Sequence, residues 1–87
     1  MDEKTVRDRL AKLHAELDEA HRENPEAREG LESILPEVKR MSETGVGGTD
    51  AALPARLERV AVQFEANHPA LAGSVRRIVD LLAEVGI

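Results

Sequence analysis

Apolar residues recur in steps of three and four along four stretches of the chain, and polar residues fill the positions between them. This spacing keeps one face of a helix apolar, so each stretch is predicted to be an amphipathic α-helix. The first stretch carries Val6, Leu10, Leu13, Leu17 and Ala20. Because Asp2 is a suitable N-cap, we predict the first helix over about residues 3–23.

The second stretch follows Asn24-Pro25, a pair that ends one helix and starts the next, because proline fits a first turn but disfavours helix before it. Its apolar positions are Ala27, Leu31, Ile34, Val38 and Met41. Pro36 falls inside this pattern and removes one backbone hydrogen bond. Either the helix runs on as a bent rod with Pro36 on its solvent side, or it ends near Ile34 and a short helix begins again at Pro36.

The segment Ser42–Asp50 is rich in glycine and is predicted to be a linker between two helical hairpins. Three glycines in nine residues oppose helix formation. No strand precedes the segment and no Gly-Lys-Ser/Thr follows it, so it does not resemble a phosphate-binding loop.

The third and fourth helices meet at Phe64–Leu71, which we call the elbow. The third helix starts between Thr49 and Pro54, and its apolar positions are Leu53, Leu57, Val60 and Phe64. The fourth begins at Pro69 and carries Leu71, Val75, Ile78, Leu82 and Val85. In the elbow we expect Phe64 to anchor the core and Pro69 to start a helix, and we single out Phe64, His68, Pro69 and Leu71 as its interaction residues.

These patterns predict an all-α protein of four helices arranged as two antiparallel hairpins, with residues 1–87 as one domain. The first hairpin covers about residues 3–43, the linker 42–50 and the second hairpin about 51–86. The chain has one phenylalanine and no tyrosine or tryptophan, so its core must be built from small aliphatic side chains. A core of that kind is often completed by association. The hairpins are therefore expected to form a helical bundle, either within one chain or as a dimeric coiled-coil-like bundle.

Charge and composition exclude several classes of function. The net charge is -5, and it lies entirely in residues 1–50, which argues against nucleic acid as a partner. No apolar run approaches the length of a membrane span, and the charged opening residues do not look like a signal peptide. The chain has no cysteine, which excludes disulfides and thiol chemistry. We expect a cytoplasmic protein.

Three polar groups share one edge of the first helix and are candidates for a metal site. His14, Asp18 and His21 are spaced i, i+4 and i+7, and imidazole and carboxylate groups are ligands for zinc and other divalent metals. A complete site needs a fourth group, and the simpler interpretation is a solvated edge beside the core. His68 has the chemistry of a general base, but no serine, cysteine or aspartate is placed to form a triad with it.

Two other groups of charges are best interpreted as surface features. Arg56, Arg59, Arg76 and Arg77 form a basic set on the third and fourth helices. No interleaved aromatic residue accompanies them for base stacking, so we expect a salt-bridged surface. The acidic run from Glu26 to Glu32 is typical of a solvated helix face.

Both ends of the chain resemble a known family. The segments Leu10–Leu17 (LAKLHAEL) and Phe64–Ile87 resemble small bacterial proteins catalogued as domain of unknown function 4404. The matching positions are Leu10, Leu13, His14, Glu16, Leu17, Phe64, Glu65, His68, Pro69, Leu71, Ile78, Leu82, Gly86 and Ile87. The glycine-rich linker and Pro36 depart from the family pattern. The resemblance implies a helical fold and a bacterial cytoplasmic setting, and it implies no activity.

We therefore predict a small non-catalytic interaction or oligomerisation module with no cofactor. Its partner would be a second copy of itself, as a homodimer, or another helical protein, docked on an apolar face. The alternative is a divalent-metal binder or metal-dependent enzyme that uses His14, Asp18 and His21.

Overall fold

The computed structural model describes residues 2–87, and within that range every regular element is helical. The helices are α1 (Glu3–Glu23), α2 (Arg28–Glu32), α3 (Leu35–Thr44), α4 (Leu53–Phe64) and α5 (Pro69–Glu84). A single 3₁₀ turn, Pro25–Ala27, lies between α1 and α2. The all-α class is thus confirmed.

The longest helix, α1, is capped at both ends. The Asp2 carboxylate accepts a hydrogen bond of 2.8 Å from the Thr5 N–H. At the other end, the Arg28 guanidinium donates hydrogen bonds to the carbonyl oxygens of His21 and Arg22, at 2.9 and 3.2 Å. The last carbonyls of a helix lack partners within the helix, so Arg28 satisfies two of them and also places a positive charge at the negative end of the helix dipole.

The second predicted helix is interrupted, so the described chain has five α-helices and the prediction of four was wrong. The chain leaves the α2 helix at Ser33, and α3 starts again with Pro36 in its first turn. A proline at position 36 has no N–H to donate and its ring clashes with the carbonyl four residues earlier, at Glu32. A helix ending near Ile34 and restarting at Pro36 was the second of the two possibilities, and a continuous bent helix is excluded.

The glycine-rich segment forms a loop between α3 and α4 that is held in place by hydrogen bonds. The helix α3 continues to Thr44, two residues beyond the predicted start of the linker, and ends at Gly45, whose φ of 86° suits glycine. From α3, the Arg40 guanidinium donates a hydrogen bond of 3.1 Å to the Thr49 hydroxyl. The Asp50 carboxylate then accepts a hydrogen bond from the Ala52 N–H. These bonds hold the loop against α3 and lead the chain into α4.

The end of α5 forms a Schellman motif. The Ile87 N–H bonds to the Leu82 carbonyl at 3.0 Å, and the Gly86 N–H bonds to the Ala83 carbonyl at 3.2 Å. Gly86 has a φ of 88°, a conformation that glycine adopts without steric cost.

The helices share one apolar core. α1 packs directly on α3 and on α5, and α4 packs on α5. All five helices and the 3₁₀ turn contribute to the core: Val6, Leu10, Leu13, Leu17, Ala27, Leu31, Ile34, Val38, Met41, Leu53, Leu57, Val60, Ala61, Phe64, Leu71, Ala72, Val75, Ile78, Leu81 and Leu82. Among residues 2–87 the only large apolar side chains classed as exposed are Val62, at 55%, and Ile87, at 38%. The apolar faces are therefore largely covered within one chain.

None of the helices in residues 2–87 combines the length and the apolar character that crossing a membrane requires.

Candidate interaction site at the elbow

The elbow is organised by a contact between its two ring side chains. Phe64, the last residue of α4, is buried in the core, and the His68 ring meets it edge-on with ring centres 6.0 Å apart. The His68 N–H also bonds to the Phe64 carbonyl at 2.7 Å. Pro69 is the first residue of α5, and Leu71 is buried in the same first turn. The structure thus brings the four elbow residues together around one helix junction.

The remaining polar contact of His68 reaches across to the segment before α2. His68 Nε2 lies 3.4 Å from Glu26 Oε1, and most of the His68 side chain is covered. Within residues 2–87 no serine or threonine hydroxyl is hydrogen-bonded to this imidazole, whose charged neighbour is Glu26. The geometry therefore gives His68 a connecting position between the elbow and the 3₁₀ turn.

Gly30 allows α2 to approach α4 closely. A Cβ atom at position 30 would lie 2.9 Å from Phe64 Cζ and 3.4 Å from Gln63 Oε1. A side chain here would collide with the buried phenylalanine ring, so glycine sets the distance between the two helices.

Between these helices lies a cleft of about 590 Å³, which we call the elbow cleft. One side, the acidic wall, carries Glu26 and Glu29 from the 3₁₀ turn and α2. The opposite side, the basic wall, carries Arg56 and Arg59 from α4. The full lining is Glu26, Glu29, Gly30, Ser33, Arg56, Arg59, Val60, Gln63, Phe64, Asn67 and His68. The cleft therefore presents opposite charges on its two sides.

Three of the four wall charges, Glu29, Arg56 and Arg59, take part in no ion pair within the described residues, and of these Glu29 and Arg59 make no side-chain hydrogen bond either. Arg56 donates a hydrogen bond of 2.7 Å to the Ser33 carbonyl, which fixes the start of α4 to the break between α2 and α3. Glu26 Oε1 lies 3.4 Å from His68 Nε2. Glu29 and Arg59 are exposed, and neither takes part in an ion pair within residues 2–87. These two groups are available to a binding partner.

On the other flank of α4, Arg76 joins α4 to α5. Its guanidinium lies 3.0 Å from Glu65 Oε1 and 3.2 Å from Glu58 Oε1. Hydrogen bonds to Glu65 and then to Glu58 raise the pKa of Arg76 above its ordinary value. For Arg76 the expectation of a salt-bridged surface is confirmed, whereas Arg56, Arg59 and Arg77 make no ion pair in the described part of the chain.

The candidate metal ligands on α1 do not converge on one point. Asp18 pairs with Arg22, one turn along the same helix. His21 Nε2 lies 2.9 Å from Glu32 Oε2 on α2. His14 is half-buried. Over residues 2–87 no group of three or more histidine, cysteine, aspartate or glutamate side chains is placed to hold a metal ion.

The elbow cleft was not evident from the sequence. Glu26 and Glu29 look like part of a solvated acidic face, and Arg56 and Arg59 like part of a basic set with Arg76 and Arg77. The break before Pro36 separates α2 from α3, and the acidic and basic pairs meet at one cleft beside it.

The fold and the elbow define a small all-α protein with a charged surface cleft. The comparison with family models then identifies the family: the model described as Domain of unknown function (DUF4404) matches residues 6–87, and the chain belongs to that family. Searches of curated proteins and of solved structures found no match to the chain.

Proposed function

We propose that this protein is a non-catalytic interaction module that binds a protein partner through the elbow cleft. The partner is a second copy of the chain or another helical protein, and the helices act as two hairpins that carry the two walls of the cleft. The observation that supports this proposal is the pair of opposed walls, on which Glu29 and Arg59 lack ionic partners within the described residues.

The distribution of apolar surface changes how such a module would bind. The sequence favoured docking on an apolar face, but within residues 2–87 the only large apolar side chains exposed to solvent are Val62 and Ile87. A cleft with charges on both sides selects a partner by electrostatic complementarity, which mainly affects specificity and association rate. Binding is then expected to weaken as salt increases.

A capture experiment tests the proposal. Immobilised protein is incubated with a bacterial lysate at low salt, and the same is done with Arg59→Glu and with Lys39→Glu. Lys39 is an exposed base on α3, away from the cleft, so the two variants have the same charge change. A partner retained by the wild type and by Lys39→Glu, but lost by Arg59→Glu, supports the proposal. Equal retention by all three proteins contradicts it, and so does retention by none when the chain also fails to associate with itself.

A further inference from the structure

The geometry points to a second copy of this chain as the partner at the elbow cleft. We propose a two-fold symmetric dimer in which the acidic wall of each copy lies against the basic wall of the other. This inference rests on the proposed function, because it keeps the same binding surface and names its partner.

The two walls are arranged so that a rotation can exchange them. They run along opposite sides of one cleft, linked by Arg56 to Ser33 at one end and by His68 to Glu26 at the other. A two-fold axis that lies along the cleft, in the plane of the surface, turns the second copy over. Its acidic wall then faces the basic wall of the first copy, and the reverse contact forms at the same time. Such an isologous interface closes on itself at two subunits.

The unpaired charges favour this partner over an unrelated helix. Glu29 and Arg59 lie on opposite walls of the cleft and have no ionic partner among residues 2–87 of their own chain. The symmetric arrangement brings Glu29 of each copy toward Arg59 of the other. The same ion pair then forms twice, and every Glu29 and Arg59 in the dimer has a partner. A different protein would need its own acidic and basic rows at the same separation.

The contact is expected to be reversible and sensitive to salt. Exposed ion pairs each contribute little and are screened by salt. Val62 lies three residues after Arg59 on α4 and is 55% exposed, which adds apolar surface beside the basic wall. We expect a dimer that forms at high protein concentration in low salt and dissociates near 1 M salt, where the Debye length is about 3 Å.

Sedimentation velocity on the whole chain measures the first part of this inference. The chain has a mass of 9.5 kDa, and a species of twice that mass should appear as concentration rises in low salt and disappear in high salt. A single 9.5 kDa species at every concentration and salt level overturns the inference.

Charge reversal then identifies the surface. Glu29→Arg and Arg59→Glu each place like charges together in the dimer, and each should raise the dissociation constant about tenfold or more. An equimolar mixture of the two variants should restore the dimer, because the reversed wall of one variant faces the reversed wall of the other. A purely intrachain role for these residues predicts no recovery on mixing, and that result overturns the inference.

Two variants of α3 serve as charge-matched controls for the cleft. Glu43→Arg and Lys39→Glu make the same charge changes on the exposed surface of α3 and should leave the dimer unchanged. Circular dichroism checks that all four variants fold. A dimer that survives both cleft variants uses another surface and contradicts the inference. If the wild type is monomeric but captures another protein through the cleft, the dimer inference fails and the proposed function stands. If the wild type neither forms a dimer nor captures a protein, the dimer inference and the proposed function both fail.

Discussion

Gly30 of α2 lies against the buried ring of Phe64 at the end of α4, so closely that a Cβ atom at position 30 would be 2.9 Å from Phe64 Cζ. This contact sets the spacing of the elbow cleft. We expect Gly30→Ala to lower the free energy of unfolding by ~1–3 kcal/mol, because a methyl group forced into a packed site displaces its neighbours.

Gly73 offers a matched control within α5. Nothing lies within 4 Å of a Cβ atom at that position, and its φ is not positive. Alanine is preferred over glycine in a helix interior, so Gly73→Ala should raise the free energy of unfolding by up to ~1 kcal/mol. Chemical denaturation of the two variants measures both effects, and two changes of the same sign would contradict the packing argument.

Arg28 is predicted to stabilise the α1 terminus. Arg28→Ala removes the two hydrogen bonds to the carbonyls of His21 and Arg22, and should lower the free energy of unfolding by about 1 kcal/mol. Lys39→Ala, which removes an exposed base that makes no side-chain hydrogen bond in residues 2–87, is the control. Amide hydrogen exchange should also increase in the last turn of α1 for Arg28→Ala alone. Unchanged exchange there would exclude Arg28 as a cap.

The Asp2 cap is predicted to make part of the stability depend on pH. Hydrogen bonds from the Thr5 backbone N–H and then the Thr5 side chain lower the pKa of Asp2 below its ordinary value. A carboxylate with a lowered folded-state pKa stabilises the protein above its ordinary pKa, and this contribution is lost as the pH falls through the lowered value.

Asp2→Asn isolates this effect, because asparagine keeps an oxygen that can cap the helix but does not titrate. The difference in melting temperature between wild type and Asp2→Asn should shrink as the pH is lowered from neutrality to below the ordinary range of a carboxyl group. A difference that does not change with pH would show that the charge of Asp2 contributes nothing.

The core is predicted to be sensitive at Leu10 and insensitive at Val62. Leu10 is fully buried on α1, so Leu10→Ala should lower the free energy of unfolding by ~2–5 kcal/mol through lost burial and a cavity. Val62→Ala removes an exposed side chain and should change the free energy of unfolding by less than ~0.5 kcal/mol. Denaturation should be measured where the protein is monomeric. A large loss at Val62 under those conditions would mean that the residue is covered within the chain.

Divalent metals are predicted not to stabilise the protein. The Asp18 carboxylate pairs with Arg22, and the His21 ring contacts Glu32. The spacing of His14, Asp18 and His21 therefore does not produce a shared set of metal ligands. We expect no change in melting temperature with zinc or manganese. A rise that disappears in His14→Ala, but not in a control such as Lys39→Ala, would overturn this expectation and favour the metal-binding alternative.

The sequence determined where most of the helices lie. The periodic apolar residues, the cap at Asp2 and the prolines at positions 25, 36 and 69 are local signals, because each acts on the backbone within about one turn. The predicted first helix, residues 3–23, therefore matches α1, and Pro69 starts α5 as expected. Pro36 was ambiguous for the same reason: a local clash can bend a helix or end it, and the choice depends on what packs around the break.

Tertiary structure decided which charged residues lie together in the elbow cleft. Glu29 and Arg59 are far apart in the sequence, and no periodic pattern relates their positions. They lie on one cleft because α2 ends at Glu32 and because Gly30 lets it approach Phe64. Long-range packing also covered the apolar faces of the helices. From the sequence alone, these faces could be covered within one chain or in a dimer. The spacing of apolar residues on one helix does not specify which neighbour covers them.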